Sequence, residues 1–474
     1  MPESLEYKSI WTILVISALL VLLLQGRYRT EHLFLSALLA LLVPGVIKPS
    51  DAMAGFTHTV VITVGALFAV AAGVRKSGLL SSLEDILMRE KSGIGGMLFR
   101  IMTTTSFFSS FLNNTPVVAI LTPQLKDWAE KRGISVSKLL IPLSYAAITG
   151  GMITLVGTST NLIVSGMLLE RGAAPFHFFQ LVWIALPATL LIILWFAVIG
   201  HRFLPDRPAP AAAWPAGASA PSGVYAGRNA AQTFEPGVST HWPSGVYVMG
   251  GFTASHHTFS PRETARLPPP EDDVKVKSSP AKARLTALIL AMMIALPVSG
   301  ILPAHISVLA AAAVMITTGI LPLREVAGSV QFSVLVVIAS ALGIGAAIEN
   351  TGLAEGIASS VIDVTSGYGF LFVLFSIYLM TNLLTELITN NAAAVLMVPI
   401  GISAAASLGI DPQAVGVIVA VAASASFLSP VGYQTNLMVM KPGGYRFTDY
   451  FKAGLPVSMI LMAITLTTVT LLWM

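Results

Sequence analysis

Residues 376–399 read SIYLMTNLLTELITNNAAAVLMVP. The stretch is apolar enough to enter a bilayer, yet it carries Ser376, Thr381, Asn382, Thr385, Glu386, Thr389, Asn390 and Asn391 before Pro399. Residues 101–125, IMTTTSFFSSFLNNTPVVAILTPQL, are built alike, with Thr103, Thr104, Thr105, Ser106, Ser109, Ser110, Asn113, Asn114 and Thr115 ahead of Pro116. A helix facing lipid does not carry such a load. Irregular backbone at membrane depth is tolerated only where it lines a cavity or is buried in protein. Both stretches are therefore expected to be re-entrant hairpins with polar tips.

The rest of the chain agrees with a membrane setting. Its 474 residues include no cysteine, 11% charged and 55% hydrophobic residues, with a mean hydropathy of +0.79. A soluble surface needs roughly 25% charged residues, so an ordinary cytosolic enzyme and a disordered scaffold are excluded. Zero cysteine excludes disulfides, thiolate metal sites and cysteine nucleophiles. The net charge of +4 reflects cations at membrane borders and implies no nucleic-acid partner.

About 20 apolar residues cross a bilayer core. Runs without Asp, Glu, Lys or Arg cover 9–26, 32–47, 52–74, 101–125, 139–169 and 172–201, then 285–323, 326–348, 364–385, 387–410, 412–440 and 453–474. The run 285–323 is expected to break at Gly300-Ile301-Leu302-Pro303. With the two hairpins re-entrant, both termini lie outside, and loops 49–57, 300–306 and 349–363 lie outside as well. This arrangement puts 24 of the 27 Lys and Arg inside and leaves Lys8, Lys48 and Arg171 outside, as the positive-inside rule requires. It implies a multi-pass protein of the cell's inner membrane. The segment 80–91 is amphipathic and is expected along the cytosolic interface.

The two halves repeat. Ser77-Gly78-Leu79 matches Thr351-Gly352-Leu353, Ser109 matches Thr385, and Asn114 matches Asn390. Gly133-Ile134 matches Gly409-Ile410, Gly157 matches Gly432, and Thr160-Asn161 matches Thr435-Asn436. The offset holds at 274 to 276 residues throughout. The fold class expected is an all-α polytopic membrane protein of two inverted repeats, each with a re-entrant hairpin and a broken transmembrane helix, the build of secondary transporters. The chain then divides into 1–204 and 284–474 as transmembrane halves, and 205–283 as a flexible cytosolic linker. The linker has 12 prolines, one leucine and no isoleucine, too little to bury a core. It repeats Pro-Ser-Gly-Val-Tyr at 221–225 and 243–247 and holds His256-His257, to which no metal chemistry is assigned.

Each half offers a hairpin tip and a glycine-containing break. The first set is Ser109, Asn113-Asn114-Thr115-Pro116 and Gly157-Thr158-Ser159-Thr160-Asn161. The second is Thr385, Thr389-Asn390-Asn391-Ala392 and Pro430-Val431-Gly432-Tyr433-Gln434-Thr435-Asn436. Breaking a helix frees carbonyls at one end and N–H groups at the other. Carbonyl, amide and hydroxyl oxygens suit a hard cation, and helix N-termini suit an anion. No Lys or Arg lies near the tips, so bound cations would supply the positive charge, and cation binding before anion binding is expected. Glu386 is the one acid in either hairpin. It is open to two readings: a proton or cation-attracting site, or a structural carboxylate capping freed N–H groups. Arg100 reads as a border anchor.

On Phe111-Leu112-Asn113-Asn114-Thr115, Val156-Gly157-Thr158-Ser159-Thr160-Asn161, Leu384-Thr385-Glu386-Leu387-Ile388-Thr389-Asn390-Asn391 and Ser429-Pro430-Val431-Gly432-Tyr433-Gln434-Thr435-Asn436, the chain resembles bacterial members of the divalent anion/sodium symporter family. That family falls within the broader superfamily of citrate-carrier-like permeases. The resemblance covers about 30–204 and 284–474. It implies one sodium near Ser109, Asn114 and Gly157 and a second near Thr385, Asn390 and Gly432. An oxyanion would lie between the tips, against Asn113, Thr115, Thr389 and Asn391. Asn114, Asn390, Thr158, Ser159, Thr160, Asn161, Thr435 and Asn436 complete the candidate substrate set. The family has Ser-Asn-Thr at both tips, where this chain keeps only the central Asn. Its dicarboxylate carriers have Thr-Pro-Pro-Asn in the breaks; here Thr158-Ser159-Thr160-Asn161 and Tyr433-Gln434-Thr435-Asn436 stand instead, which leans toward a smaller oxyanion such as sulfate. The resemblance also implies a homodimer working as an elevator.

The expected function is cation-coupled, by sodium, symport of a small oxyanion such as sulfate or a dicarboxylate, with no cofactor and no transition metal. A proton-coupled carrier or an arsenite-type metalloid-oxyanion exporter is the alternative within transport, and a passive anion channel the alternative outside it. An intramembrane enzyme would need a Ser–Lys, Asp–Asp or His–Glu metal set within the spans, and none appears.

Overall fold

The computed structural model describes residues 3–25, 27–79, 93–207, 280–365 and 370–473. The amphipathic segment 80–91 and all of 208–279, with the repeated pentapeptide and His256-His257, lie outside them. The chain divides into residues 1–215 with 278–474 and residues 216–277. The second unit falls outside the described residues, and every described helix belongs to the first.

Nineteen α-helices make up the described part, with no strand among the described residues. They are α1 (Glu3–Gln25), α2 (Thr30–Leu42), α3 (Pro49–Thr57), α4 (Thr59–Ser77), α5 (Ile94–Ser109), α6 (Asn114–Lys131), α7 (Leu140–Gly151), α8 (Ser159–Glu170) and α9 (Val182–Val198). After the gap come α10 (Pro280–Val298), α11 (Ala304–Thr317), α12 (Leu323–Ser329), α13 (Phe332–Asn350), α14 (Leu353–Thr365) and α15 (Phe370–Leu387). The chain finishes with α16 (Asn390–Leu408), α17 (Pro412–Ser424), α18 (Gln434–Met440) and α19 (Phe447–Trp473). Among the described residues, six stretches are long and apolar enough to cross a membrane: Pro49–Ser77, Pro280–Val298, Phe332–Asn350, Phe370–Leu387, Asn390–Leu408 and Phe447–Trp473. Large apolar side chains on the outermost helices are exposed, among them Trp183 and Leu190 on α9 and Met459 and Leu471 on α19. In water such a surface would aggregate; in a bilayer it is the solvent-facing side.

The repeat seen in the sequence recurs helix by helix. Thr30 and Ala304, Pro49 and Leu323, Thr59 and Phe332, Ile94 and Phe370, Asn114 and Asn390, Leu140 and Pro412, and Ser159 and Gln434 open matching helices, each pair 272 to 276 residues apart. Gly133 and Gly409 end α6 and α16 in the left-handed region, at φ +65° and +67°. The next amides, Ile134 and Ile410, each return 2.9 Å to a carbonyl five residues back, Ala129 and Ala405. That is the closure a helix makes when only glycine tolerates the φ required.

Packing between the copies is reciprocal. Helix α2 lies on α13 and α11 on α4; α3 lies on α13 and α12 on α4. Nearer the centre, α8 packs on α16 and α17, while α18 packs on α6 and α7. Pairs of this kind, where i meets j′ and j meets i′, are the mark of two units related by a two-fold. Helices α7 and α17 are buried along nearly their whole length. They are rich in Gly, Ala and Ser, so backbones approach closely: a Cβ on Gly150 would collide with the main chain of Ser106 on α5.

Several boundaries differ from the sequence-based expectation. The hairpins are longer, spanning 94–131 and 370–408 rather than 101–125 and 376–399. The run 52–74 is not one helix. It bends at His58, whose backbone is extended (φ −67°, ψ 137°) and whose Nδ1 accepts the Val60 N–H as a cap for α4. The run 326–348 bends at the matching place, between α12 and α13. Loops 49–57 and 349–363 contain helix α3 and most of α14. A run free of charge reports depth, not path, and short helices end at backbone turns that leave hydropathy unchanged. The ends of the expected linker 205–283 are part of the helical unit. Arg207 is held by Asp449 (2.7 and 3.2 Å) and the Gly444 carbonyl (2.6 Å), and residues 280–283 already belong to α10. The break at 300–303 falls where expected, between α10 and α11.

Candidate functional site

Each hairpin turns over a few residues, Ser110–Asn113 between α5 and α6 and Ile388–Thr389 between α15 and α16. Pro116 sits in the first turn of α6, where a missing N–H costs nothing. Each broken helix parts over a longer stretch, 152–158 between α7 and α8 and 425–433 between α17 and α18. Asn113, Thr158, Thr389 and Tyr433 are the N-caps of the four helices that begin there, and none makes a side-chain capping bond. The first-turn N–H groups of α6, α8 and α16, each of 12 residues or more, are thereby left for another acceptor.

The C-terminal ends face a different point. A Cβ on Gly157 would stand 2.8 Å from the Ser110 carbonyl oxygen and 2.9 Å from that of Ser109, and closer still to that of Gly151. Three carbonyls from the ends of α5 and α7 thus converge over one glycine. In the second copy a Cβ on Gly432 would run into the Thr385 carbonyl oxygen and the Ser426 Oγ. Neither glycine has a left-handed φ, so the close approach of these oxygens, not backbone freedom, is what glycine permits here. Oxygens gathered at helix C-termini are cation ligands by charge and by dipole.

Of the first expected cation set, all three members come together. Ser109 Oγ donates to Asn114 Oδ1 at 2.5 Å, and Gly157 faces the Ser109 carbonyl. The second set is only partly assembled. Thr385 meets Gly432 through its carbonyl while its hydroxyl donates to Ala423 O (2.5 Å). Asn390 points its amide across to Thr160 Oγ1 (2.8 Å) in the other copy.

The tips meet the breaks of the opposite copy. Thr115 Oγ1 donates to Gln434 Oε1 (3.2 Å), and Ser159 Oγ donates to Asn391 Oδ1 (3.0 Å); these are the same contact in the two repeats. Thr160 Oγ1 also donates to Asn391 Oδ1 (3.1 Å). Asn114 Nδ2 donates to the Tyr433 hydroxyl at 2.6 Å, which lies 3.3 Å from Thr158 Oγ1. Asn113, Thr115, Ser159, Thr389, Asn390 and Asn391 are half-buried, whereas Asn114, Thr158 and Thr160 are buried.

Asn161, Thr435 and Asn436 take another role. Asn161 Nδ2 donates to Thr154 O (2.9 Å) and Asn436 Nδ2 to Ser429 O (3.1 Å) and Ser426 O (2.9 Å), so each amide holds its own break in shape. Ser144 Oγ on α7 donates to Asn436 Oδ1 at 2.7 Å and shares a hydroxyl–hydroxyl bond with Thr435 Oγ1 at 2.8 Å. The hydroxyls of Thr154 and Ser429 tie the breaks to the tips, donating to the carbonyls of Ser110 and, at 3.0 Å, Glu386. Thr154 and Ser426 were absent from the expected site, and Ser429 and Tyr433 were quoted in its motifs without a role; Thr154 could have been found as the repeat mate of Ser429.

Glu386 is buried, and every bond it makes is one it accepts. Its Oε1 takes the N–H groups of Phe427 and Leu428, both at 2.8 Å, and its Oε2 takes the Ser426 hydroxyl at 3.2 Å. The matching amides of the first copy, Met152 and Ile153, close on Thr149 O and Gly150 O as a tight turn, and Ser110 in place of Glu386 bonds Ser106 O. The second break is too open for such a turn, and the carboxylate caps it.

Residues 12–422 match the family model described as "Citrate transporter" (CitMHS). The chain is 29% identical to "Uncharacterized transporter sll0640" of Synechocystis sp., over 97% of its own length and 96% of the relative's. It is 38% identical over 154 residues, 32% of this chain and 18% of the other, to "Sodium/sulfate cotransporter 1" of Chlamydomonas reinhardtii. Among solved structures it is similar in fold to the Alcanivorax borkumensis YdaH transporter, with a TM-score of 0.56 at 14% identity, covering 89% of this chain and 87% of that one.

Proposed function

The chain belongs to the citrate transporter family, and on that premise we propose that this multi-pass membrane transporter couples the movement of a small oxyanion to that of sodium. One observation carries the proposal: helix C-termini converge on Gly157 while uncapped N-termini of α6 and α8 begin a few residues away. Carbonyls at the first point favour a cation, and N–H groups at the second favour an anion. No basic side chain is among the residues of this site, so an anion there draws its countercharge from dipoles and from the cation. Each ligand improves the site for the other, which is coupling in its thermodynamic sense. The reciprocal contacts support two copies inverted in the membrane with the site between them. An inner-membrane location and a homodimer belong to the same reading and rest on the family resemblance.

Glu386 is not the coupling group in this reading. The Glu386 side chain accepts two N–H groups and one hydroxyl of the second break, so in this reading it is a cap that holds the break in shape. The test is uptake of radiolabelled sulfate into proteoliposomes. An inward sodium gradient is expected to drive accumulation, and a proton gradient in potassium is not. Uptake indifferent to sodium refutes the proposal.

A further inference from the structure

We propose that the phenol of Tyr433 narrows the shared site to a compact tetrahedral dianion of the size of sulfate and keeps dicarboxylates out; this rests on the symport reading above. Thr158 and Tyr433 are repeat mates. Each stands at the N-cap position of its post-break helix without a side-chain capping bond, and their backbones are nearly the same (φ −135°, ψ 145° and φ −133°, ψ 132°). One copy thus places a hydroxyl on a short stem, the other at the far end of a ring. That ring crosses to the opposite copy, where its hydroxyl accepts from Asn114 Nδ2 at 2.6 Å and stands 3.3 Å from Thr158 Oγ1. A contact between repeat mates lies on the axis relating the copies, which is also where an anion held by both tips would sit. Two threonines would leave that gap open. The ring fills it, only 6% exposed.

What remains around the ring is a set of donors. Asn114 supplies the proton of its bond to the phenol, so the phenol keeps its own proton to give. The side-chain amide groups of Asn113, Asn391 and Gln434 donate to no partner among the described residues. Donors offered by the tips and a break of both copies suit the four oxygens of a single centre. A dicarboxylate spreads two charges along a carbon chain and needs a longer cavity with a donor group at each end, and the ring stands in that path. A polar site discriminates strongly when the wrong ligand leaves buried groups unpaired.

The experiment is sodium-driven uptake of labelled sulfate and labelled succinate by the wild type, Tyr433→Phe and Tyr433→Thr. The wild type is expected to take up sulfate, with succinate competing at least about tenfold more weakly. Tyr433→Phe keeps the ring and loses one donor, so the sulfate KM rises about five- to tenfold while succinate stays excluded. Tyr433→Thr, which copies Thr158, opens the gap and gains succinate uptake. Comparable wild-type uptake of the two anions, both dependent on sodium, overturns the size filter and leaves the symport reading standing. So does a folded Tyr433→Thr variant as selective as the wild type. Absence of any sodium-driven uptake instead overturns the symport reading. Should Tyr433→Thr not fold, the wild-type competition and the Phe variant still decide.

Discussion

Replacing Gly157 by alanine abolishes sodium-dependent transport, lowering uptake about 100-fold or more, equivalent to ~2.7 kcal/mol. The added methyl occupies the point on which the carbonyls of Ser109, Ser110 and Gly151 converge. These are main-chain oxygens at helix ends, so they cannot rotate away as a flexible side chain would. Gly157 is not among the left-handed glycines, so the added methyl acts by forcing these oxygens out of the arrangement in which they converge. Sodium binding can be read apart from transport. A ligand bound only by the folded state adds about 2.7 kcal/mol of stability at 100 times its Kd, so sodium raises the wild-type melting temperature relative to potassium, and the Gly157→Ala protein loses this increment. Gly328, on α12 with open space where a Cβ would stand, provides the control: Gly328→Ala keeps both uptake and the sodium increment. A Gly157→Ala protein that still responds to sodium removes the cation assignment.

Replacing Glu386 by alanine unfolds the second break. It strands the N–H groups of Phe427 and Leu428 and the hydroxyl of Ser426, and a buried donor left unsatisfied costs about 1–3 kcal/mol. We expect a loss of ~3–5 kcal/mol of stability, given partial relaxation, with transport lost at growth temperature. Glu386→Gln behaves differently. Its remaining carbonyl oxygen still accepts both N–H groups, and the Ser426 hydroxyl can turn to accept from the new amide. Sodium-driven uptake is expected within about tenfold of the wild type, with an unchanged pH profile. A proton-carrying Glu386 would give the opposite result, a folded Gln variant whose pH dependence has vanished. Thermal unfolding and uptake across pH 5 to about 8, the range of highest stability for most proteins, separate the two.

Both replacements act on residues that could be found before the fold was known. Gly157 and Gly432 stood out because they held a fixed offset beside Asn and Thr in otherwise apolar runs, and a membrane chain admits such polarity only where backbone groups or ligands need it. The glycine pairs at 78 and 352 and at 133 and 409 were legible for a simpler reason: a left-handed helix end excludes other residues. What the sequence did not disclose was partnership. Whether Asn390 serves its own copy or reaches Thr160 depends on how two halves dock, and no local pattern encodes that. Tyr433 belonged to a quoted motif, but its reach to Asn114 and Thr158 appears only once the copies are brought together. The bends at His58 and before α13 were invisible to a search for charge-free runs, because a turn buried in protein changes direction without changing hydropathy. The functional choice at Glu386 was left open by spacing and is narrowed by the three donors that surround it.

The absence of cysteine from the chain opens the most direct test of the central claim, that each tip engages the break of the other copy. Thr115→Cys with Gln434→Cys, and Ser159→Cys with Asn391→Cys, place thiols at the two repeat-related contacts of 3.2 and 3.0 Å. Mercuric ion or a short bifunctional thiol reagent, applied to each purified double variant, is expected to bridge both pairs within one chain, with sodium-driven uptake stopped on bridging and restored by reductant. Failure of both pairs to bridge while Thr115→Cys with Ser159→Cys, a pair within one copy, bridges readily would mean that each tip keeps to its own break, and the shared site would not exist.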